Sequence, residues 1–125
     1  MEKTGTQEMT NPKRGEIWLV QLDPTRGQEI QKTRPAVVIS SELFEPIPIR
    51  IVIPVTRWQV KFSDRPFMVS IKRTDENGLE QDSAGNVLQV RSISIERFVR
   101  RLGQVSSTVL QELLAGLVIC VDYHA

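Results

Sequence analysis

DPTRGQEIQKTRPAVVIS, residues 23–40, changes character halfway, and the reading of the fold turns on that change. From Asp23 to Thr33 the chain is polar or turn-forming apart from Ile30. Arg34-Pro35 then leads into Ala36-Val37-Val38-Ile39, an apolar run that reads as a buried strand ending at Ser40. Pro35 restricts Arg34 to extended conformations, so a fixed cation stands at the mouth of a core strand. A long polar loop before it in so small a chain points to function.

Outward from this stretch the pattern is mostly β. Glu16 to Leu22 (EIWLVQL) is rich in β-formers, and the Asp23-Pro24 turn ends it. SSELFEPIP (40–48) accommodates one helical turn, with Ser40 or Ser41 as N-cap and Pro46 as the stop. Ile49 to Val55 reads as a third strand, in which Pro54 implies an edge or a strand end. Phe67 to Ile71 makes a fourth, DENG (75–78) a tight turn, and Val87 to Val90 a fifth. From Val109, the residues Leu110, Leu113, Leu114, Leu117, Val118 and Val121 recur at helical spacing, and Thr108 with Gln111 fits a capping box. Short strands followed by one helix give an α+β domain: a small barrel or curled sheet closed by the C-terminal helix. Residues 1–12 are polar and aperiodic and are expected to form a disordered tail, leaving 13–125 as a single domain.

Composition narrows the chemistry. Sixteen basic residues against fifteen acidic ones leave a net charge of +1, so any cationic site must be a local patch. The single Cys120 excludes an internal disulfide and, set in an apolar run, reads as a small buried hydrophobe in a reducing cytoplasm. No apolar stretch reaches the length of a membrane span, and no signal peptide is expected. One histidine, His124, and one cysteine make no zinc cluster, and phosphate-cradling glycine motifs are absent. The acidic pairs Asp75-Glu76 and Glu80 with Asp82 flank a glycine turn and read as solvated hairpin charges rather than magnesium ligands. No metal or cofactor is expected.

Arg34 and Thr56, at the end of IRIVIPVT, remain. If their strands pair, a guanidinium fork and a hydroxyl meet at one place, a combination that suits a phosphate. On spacing alone, a surface arginine and a strand-end threonine are the simpler explanation.

RGEIWLVQLDPTRGQE (14–29), TRPAVVIS (33–40) and IPVT (53–56) together resemble the MazF/PemK/Kid family of toxins from bacterial toxin–antitoxin pairs. Arg65-Pro66-Phe67, Asn77-Gly78-Leu79, Asp82-Ser83 and Gln89-Val90-Arg91-Ser92-Ile93 extend the likeness, so it covers about 14 to 121. The resemblance implies an SH3-like twisted barrel of about five to seven short strands with a C-terminal helix, usually a homodimer. It also implies a cytoplasmic, metal-independent endoribonuclease that cuts single-stranded RNA at short sequences and is silenced by a cognate antitoxin. Arg34 and Thr56 then match the residues most tied to catalysis, and Glu29 is the candidate base. RNA contacts fall to Arg26, Gln28, Lys32, Gln89 and Arg91, and the loop from Asp23 to Thr33 becomes a flap over the RNA groove.

Two departures stand out. Many relatives carry Glu-Gln-x-Gly-x-Arg in the flap, where this chain has Glu29-Ile30-Gln31-Lys32-Thr33-Arg34, which points to a different RNA preference. Some members place an acidic residue before the Gln-x-Arg segment, where this chain has Leu88, so the base must come from Glu29 or another group. Two other readings of the same barrel are a non-catalytic toxin that poisons a target such as DNA gyrase, and a structural RNA-binding barrel.

Overall fold

The apolar runs of the first half become strands buried on both faces. A computed structural model describes residues 10–22 and 33–124. Among the described residues the strands are β1 (Glu16–Gln21), β2 (Thr33–Val38), β3 (Ile49–Arg57), β4 (Met68–Ile71), β5 (Ser83–Asn86), β6 (Arg91–Ser94) and β7 (Phe98–Gln104), followed by the helix α1 (Ser107–Cys120). Alternation divides β1 and β2 between two cores. Ile17 and Val37 join Ile53, Val55 and Leu113, while Trp18, Val20, Ala36 and Val38 join Val52 and Phe98. Two-sided burial explains why these strands read as continuous apolar runs rather than alternating ones. Cys120 packs against the first of these cores.

All pairings are antiparallel and follow the path β4-β5-β3-β2-β1-β7, with β6 on β3. The fold is the expected α+β one, but the ladder does not close into a barrel: β4 and β7 are its two ends. α1 lies on β4 and on the short turn Val87–Gln89. What spans the seam is the loop from 72 to 82. Its Glu76 carbonyl accepts from Gln104 N–H of β7 at 2.9 Å. Two glycines permit the approach: a Cβ on Gly78 would lie 2.0 Å from Leu102 O, and one on Gly103 would lie 2.2 Å from Glu76 O. Buried Asn77 locks the loop, accepting from Thr74 N–H and Leu79 N–H and donating to Lys72 O.

Several sequence expectations shift. β3 is central rather than an edge, because β6 pairs it up to Val52 and β5 takes over from Val55. Pro54, without a donor, sits at that handover. Val87 to Val90 is not a strand. The chain makes a single 3-10 turn there, burying Val87 and exposing Leu88, so that β3 can change neighbours. β7 was not expected, since its Arg100 and Arg101 interrupt any apolar pattern; pairing with β1 makes it a strand. α1 begins at Ser107, capped by Ser106 Oγ accepting from Val109 N–H at 3.1 Å, so Thr108 is not the cap. The turn at Glu42–Phe44 is capped by Ser41, as one of the two expected serines.

The boundary of the expected tail also moves. Pro12 is fully buried, and the buried Arg50 guanidinium donates to Pro12 O at 2.9 Å and Asn11 Oδ1 at 2.9 Å. It also donates to the carbonyls of Glu45, Ile47 and Ile49. Five neutral acceptors around one planar fork satisfy a buried cation without a carboxylate.

The most distinctive stretch, Arg14-Gly15-Glu16-Ile17-Trp18, holds β1 in place. Arg14 donates to Ile39 O, and Gly15, at φ +88°, donates to Val38 O at 2.8 Å. Glu16 accepts from Lys13 N–H, Trp18 Nε1 and Arg101 Nε at 2.8–2.9 Å. Burial pushes the Glu16 carboxyl up, but these hydrogen bonds and the Arg101 charge outweigh it and leave the group below its usual 4.5. Trp18 packs edge-on against Phe98 at 5.7 Å.

Candidate functional site

The prolines flanking the two candidate catalytic residues shape the site. The β2–β3 ladder runs Val38↔Val52, Val37↔Ile53, Ala36↔Pro54 and stops there. Pro35 and Pro54 supply no N–H to continue it. Beyond that point β2 stays on β1, through Val20↔Arg34, and β3 stays on β5, through Thr56↔Ala84. Arg34 and Thr56 therefore end adjacent strands at the same level, each anchored from its outer side.

A groove of about 510 Å³ lies at these strand ends, and both Arg34 and Thr56 line it. Strand alternation sets Arg34 and Thr56 on one face and Pro35 and Val55 on the other, so the groove wraps around the strand ends. Arg34 is exposed and Thr56 half-buried. The seam loop contributes Leu79, Glu80 and Gln81, and β7 contributes Arg100. Together with Arg57, three guanidinium-bearing residues face one carboxylate among the groove's described residues, a local positive patch on a nearly neutral chain. Arg57 Nε donates to Gln81 Oε1 at 3.1 Å, joining β3 to the seam loop.

The other expected site residues fall elsewhere. Arg26, Gln28, Glu29 and Lys32 lie outside the described residues. Arg91 does not line the groove: its Nη1 donates to Leu22 O at 3.4 Å, while Arg97 donates to Gln21 O at 3.2 Å. Both arginines hold the backbone at the end of β1. Gln89 sits half-buried in the turn between β5 and β6. Arg57, next to Thr56 on β3, was not singled out in the sequence, and Glu80, Gln81 and Arg100 carry no local signal, because only the seam contact brings the loop and β7 to Thr56. Asp82 is structural, accepting from Arg73 N–H at 2.8 Å, and Asp75 pairs with Arg73 at 3.4 Å. Among the described residues no group of three metal-ligating side chains converges. Of the aromatics, Trp18, Phe62 and Phe98 are buried, and Trp58 stacks edge-on with Phe62. His124 contacts Asp122 at the exposed C-terminal end.

Comparison with known proteins shows which family the chain resembles. Residues 13–121 match the family described as PemK-like, MazF-like toxin of type II toxin-antitoxin system. The chain is 39% identical over 116 residues to endoribonuclease MazF9 of Mycobacterium tuberculosis, covering 88% of this chain and 96% of that protein. It is 33% identical over 119 residues to endoribonuclease PemK of Escherichia coli, covering 94% and 87%. The crystal structure of MazF from Deinococcus radiodurans superposes with a TM-score of 0.75 at 22% identity, covering 90% of this chain and 97% of that one. The chain belongs to the PemK-like, MazF-like family of toxins of type II toxin–antitoxin systems.

Proposed function

We propose that this toxin is an endoribonuclease that cuts single-stranded RNA without a metal ion, using the RNA's own 2′-OH as nucleophile, in the groove between the ends of β2 and β3. The observation that carries the reading is the joint presence of Arg34 and Thr56 at that groove, in a family whose relatives named above are endoribonucleases. Attack of the 2′-oxygen on the adjacent phosphorus needs a base, stabilisation of the charged phosphorane, and a proton for the leaving 5′-oxygen. A guanidinium fork and a hydroxyl donate to the non-bridging oxygens as charge develops there, which is worth about 100- to 1000-fold per donor. Such a donor set has no means of activating free water, but the 2′-OH is already held beside the phosphorus. In this scheme Glu29 takes the 2′ proton, the P–O5′ bond breaks, and Arg34 gives the proton that the departing 5′-oxygen needs.

The partners follow the same reading. A cognate antitoxin binds across the positive groove with an acidic segment, and that binding weakens with salt. The toxin acts in the cytoplasm, where its RNA is. Among the described residues no helix is long and apolar enough to cross a membrane. It works as a homodimer: Leu43, Phe44, Ile47, Ile49 and Ile51 form an exposed apolar run, Leu43 being 77% exposed, which a lone domain covers poorly. Light scattering then gives twice the 14.2 kDa chain mass.

The chemistry is tested by incubating the protein with mixed-sequence RNA in excess EDTA and mapping the ends. The reading requires a 5′-OH on one fragment and a 2′,3′-cyclic phosphate or 3′-phosphate on the other, with a 2′-deoxy substitution at the cut resisting. Fragments with 5′-phosphates, or activity lost to EDTA and restored by magnesium, overturn it.

A further inference from the structure

The groove holds more than Arg34 and Thr56 require. Leu19 of β1, Leu102 of β7 and Leu79 of the seam loop give it apolar wall, and Glu80, Gln81, Arg57 and Arg100 give it polar and charged groups. Its volume of about 510 Å³ lies within the range of small-molecule sites, roughly 300–1,000 Å³. A site built only to hold a phosphate needs neither this volume nor the leucines.

Glu80 and Gln81 are neighbours on a loop that is held rigidly. Asn77 bonds three backbone groups of that loop, and Gly78 and Gly103 seat it on β7. Arg57 Nε occupies the Gln81 carbonyl oxygen at 3.1 Å, which turns the amide so that its NH₂ faces away as a donor. Glu80 beside it offers only acceptors. A donor and an acceptor on adjacent residues of the groove wall match the edge of a nucleobase, which presents the complementary pair. Arg100 offers a charge-assisted fork to the phosphate of that nucleotide.

We infer that this groove is a nucleotide-reading subsite. It takes one nucleotide next to the cut phosphate, packs its base against Leu19, Leu79 and Leu102, reads the base edge with Glu80 and Gln81, and holds its phosphate with Arg100. The inference rests on the proposed function and assigns part of its sequence preference to the seam loop.

The test uses the full chain and a randomised single-stranded RNA pool, with cut junctions sequenced for wild type, Glu80→Gln, Gln81→Ala and Arg100→Ala, and melting curves as the fold control. Glu80→Gln, nearly isosteric and exposed, keeps the test alive should Gln81→Ala fail to fold. The subsite requires Glu80→Gln and Gln81→Ala to lower discrimination at one and the same position beside the cut by about 10-fold, with preferences elsewhere retained. It requires Arg100→Ala to raise KM about equally for all sequences and to reduce the salt slope by about 1. Junction profiles identical to wild type in both loop variants overturn the subsite and leave the nuclease reading standing. A loss of preference spread evenly over all positions also overturns it, since that is what mere distortion produces. If wild type cuts nothing, binding of the same pool in filter retention decides: a base preference lost in Gln81→Ala supports the subsite while the nuclease reading falls. Loss of binding to a poly-glutamate peptide without any change in RNA preference overturns the subsite in favour of an acidic-peptide site.

Discussion

Gly103→Ala probes the contact that spans the open seam of the sheet. A Cβ at residue 103 would lie 2.2 Å from Glu76 O, 2.6 Å from Asn77 C and 2.8 Å from Asn77 O, all backbone atoms. Backbone has no flexible end to swing aside, so the seam loop must retreat from β7 by about 1 Å, an overpacking strain of about 1–3 kcal/mol. That retreat also breaks the 2.9 Å hydrogen bond from Gln104 N–H to Glu76 O, worth about 1 kcal/mol. The expected loss is therefore about 2–4 kcal/mol. In a chain of this size about 1 kcal/mol moves Tm by about 4 °C, so calorimetry should show a fall of about 8–16 °C. Gly15→Ala is the control. Gly15 has φ +88° but nothing within 4 Å of an added Cβ, so it carries only the left-handed backbone penalty, about 1–2 kcal/mol. Gly103→Ala melting level with or above Gly15→Ala would refute the seam contact. Because the same loop presents Glu80 and Gln81 to the groove, Gly103→Ala should also slow RNA cleavage at temperatures where it remains folded.

Two further predictions concern the frame. Glu16 has a depressed folded pKa, so its stabilisation is present above about pH 4.5 and is lost as pH falls through the lower folded value. Glu16→Gln should therefore melt lower than wild type at neutral pH, and the difference should shrink in acid; a pH-independent gap would contradict the assignment. Leu113→Ala empties a fully buried position of α1 over the sheet and should lower the urea midpoint by the equivalent of about 2–5 kcal/mol, while a loss under about 1 kcal/mol would mean the helix is not seated as described.

Legibility in the sequence followed the range of the interaction. β1, β2 and α1 were readable because their apolar periods are local, and Arg34-Pro35 and Pro54-Val55-Thr56 carried the site because proline acts on its own neighbourhood. β7 was not readable: Arg100 and Arg101 are exposed, and only pairing with β1 makes Phe98–Gln104 a strand. Val87 to Val90 misled because four β-favouring or neutral residues were folded into a turn by the need of β3 to exchange β5 for β6. The early Arg-Gly-Glu-Ile-Trp signature identified the family while serving to anchor β1 rather than the chemistry. Glu80, Gln81 and Arg100 reach the groove only through the meeting of Gly78 and Gly103 with their opposite backbones, a contact no local pattern announces.

The central claim is that RNA is cut at the groove where β2 and β3 part, with Arg34 and Thr56 donating to the phosphorane. Its most direct test is the single-turnover cleavage rate of Arg34→Ala and Thr56→Val, each shown by its melting curve to be folded, against wild type on one RNA in EDTA. The expected loss is about 100-fold or more for each. A wild-type rate in folded Arg34→Ala would contradict it, and would do so even if the fragment ends proved to be a 5′-OH and a cyclic phosphate.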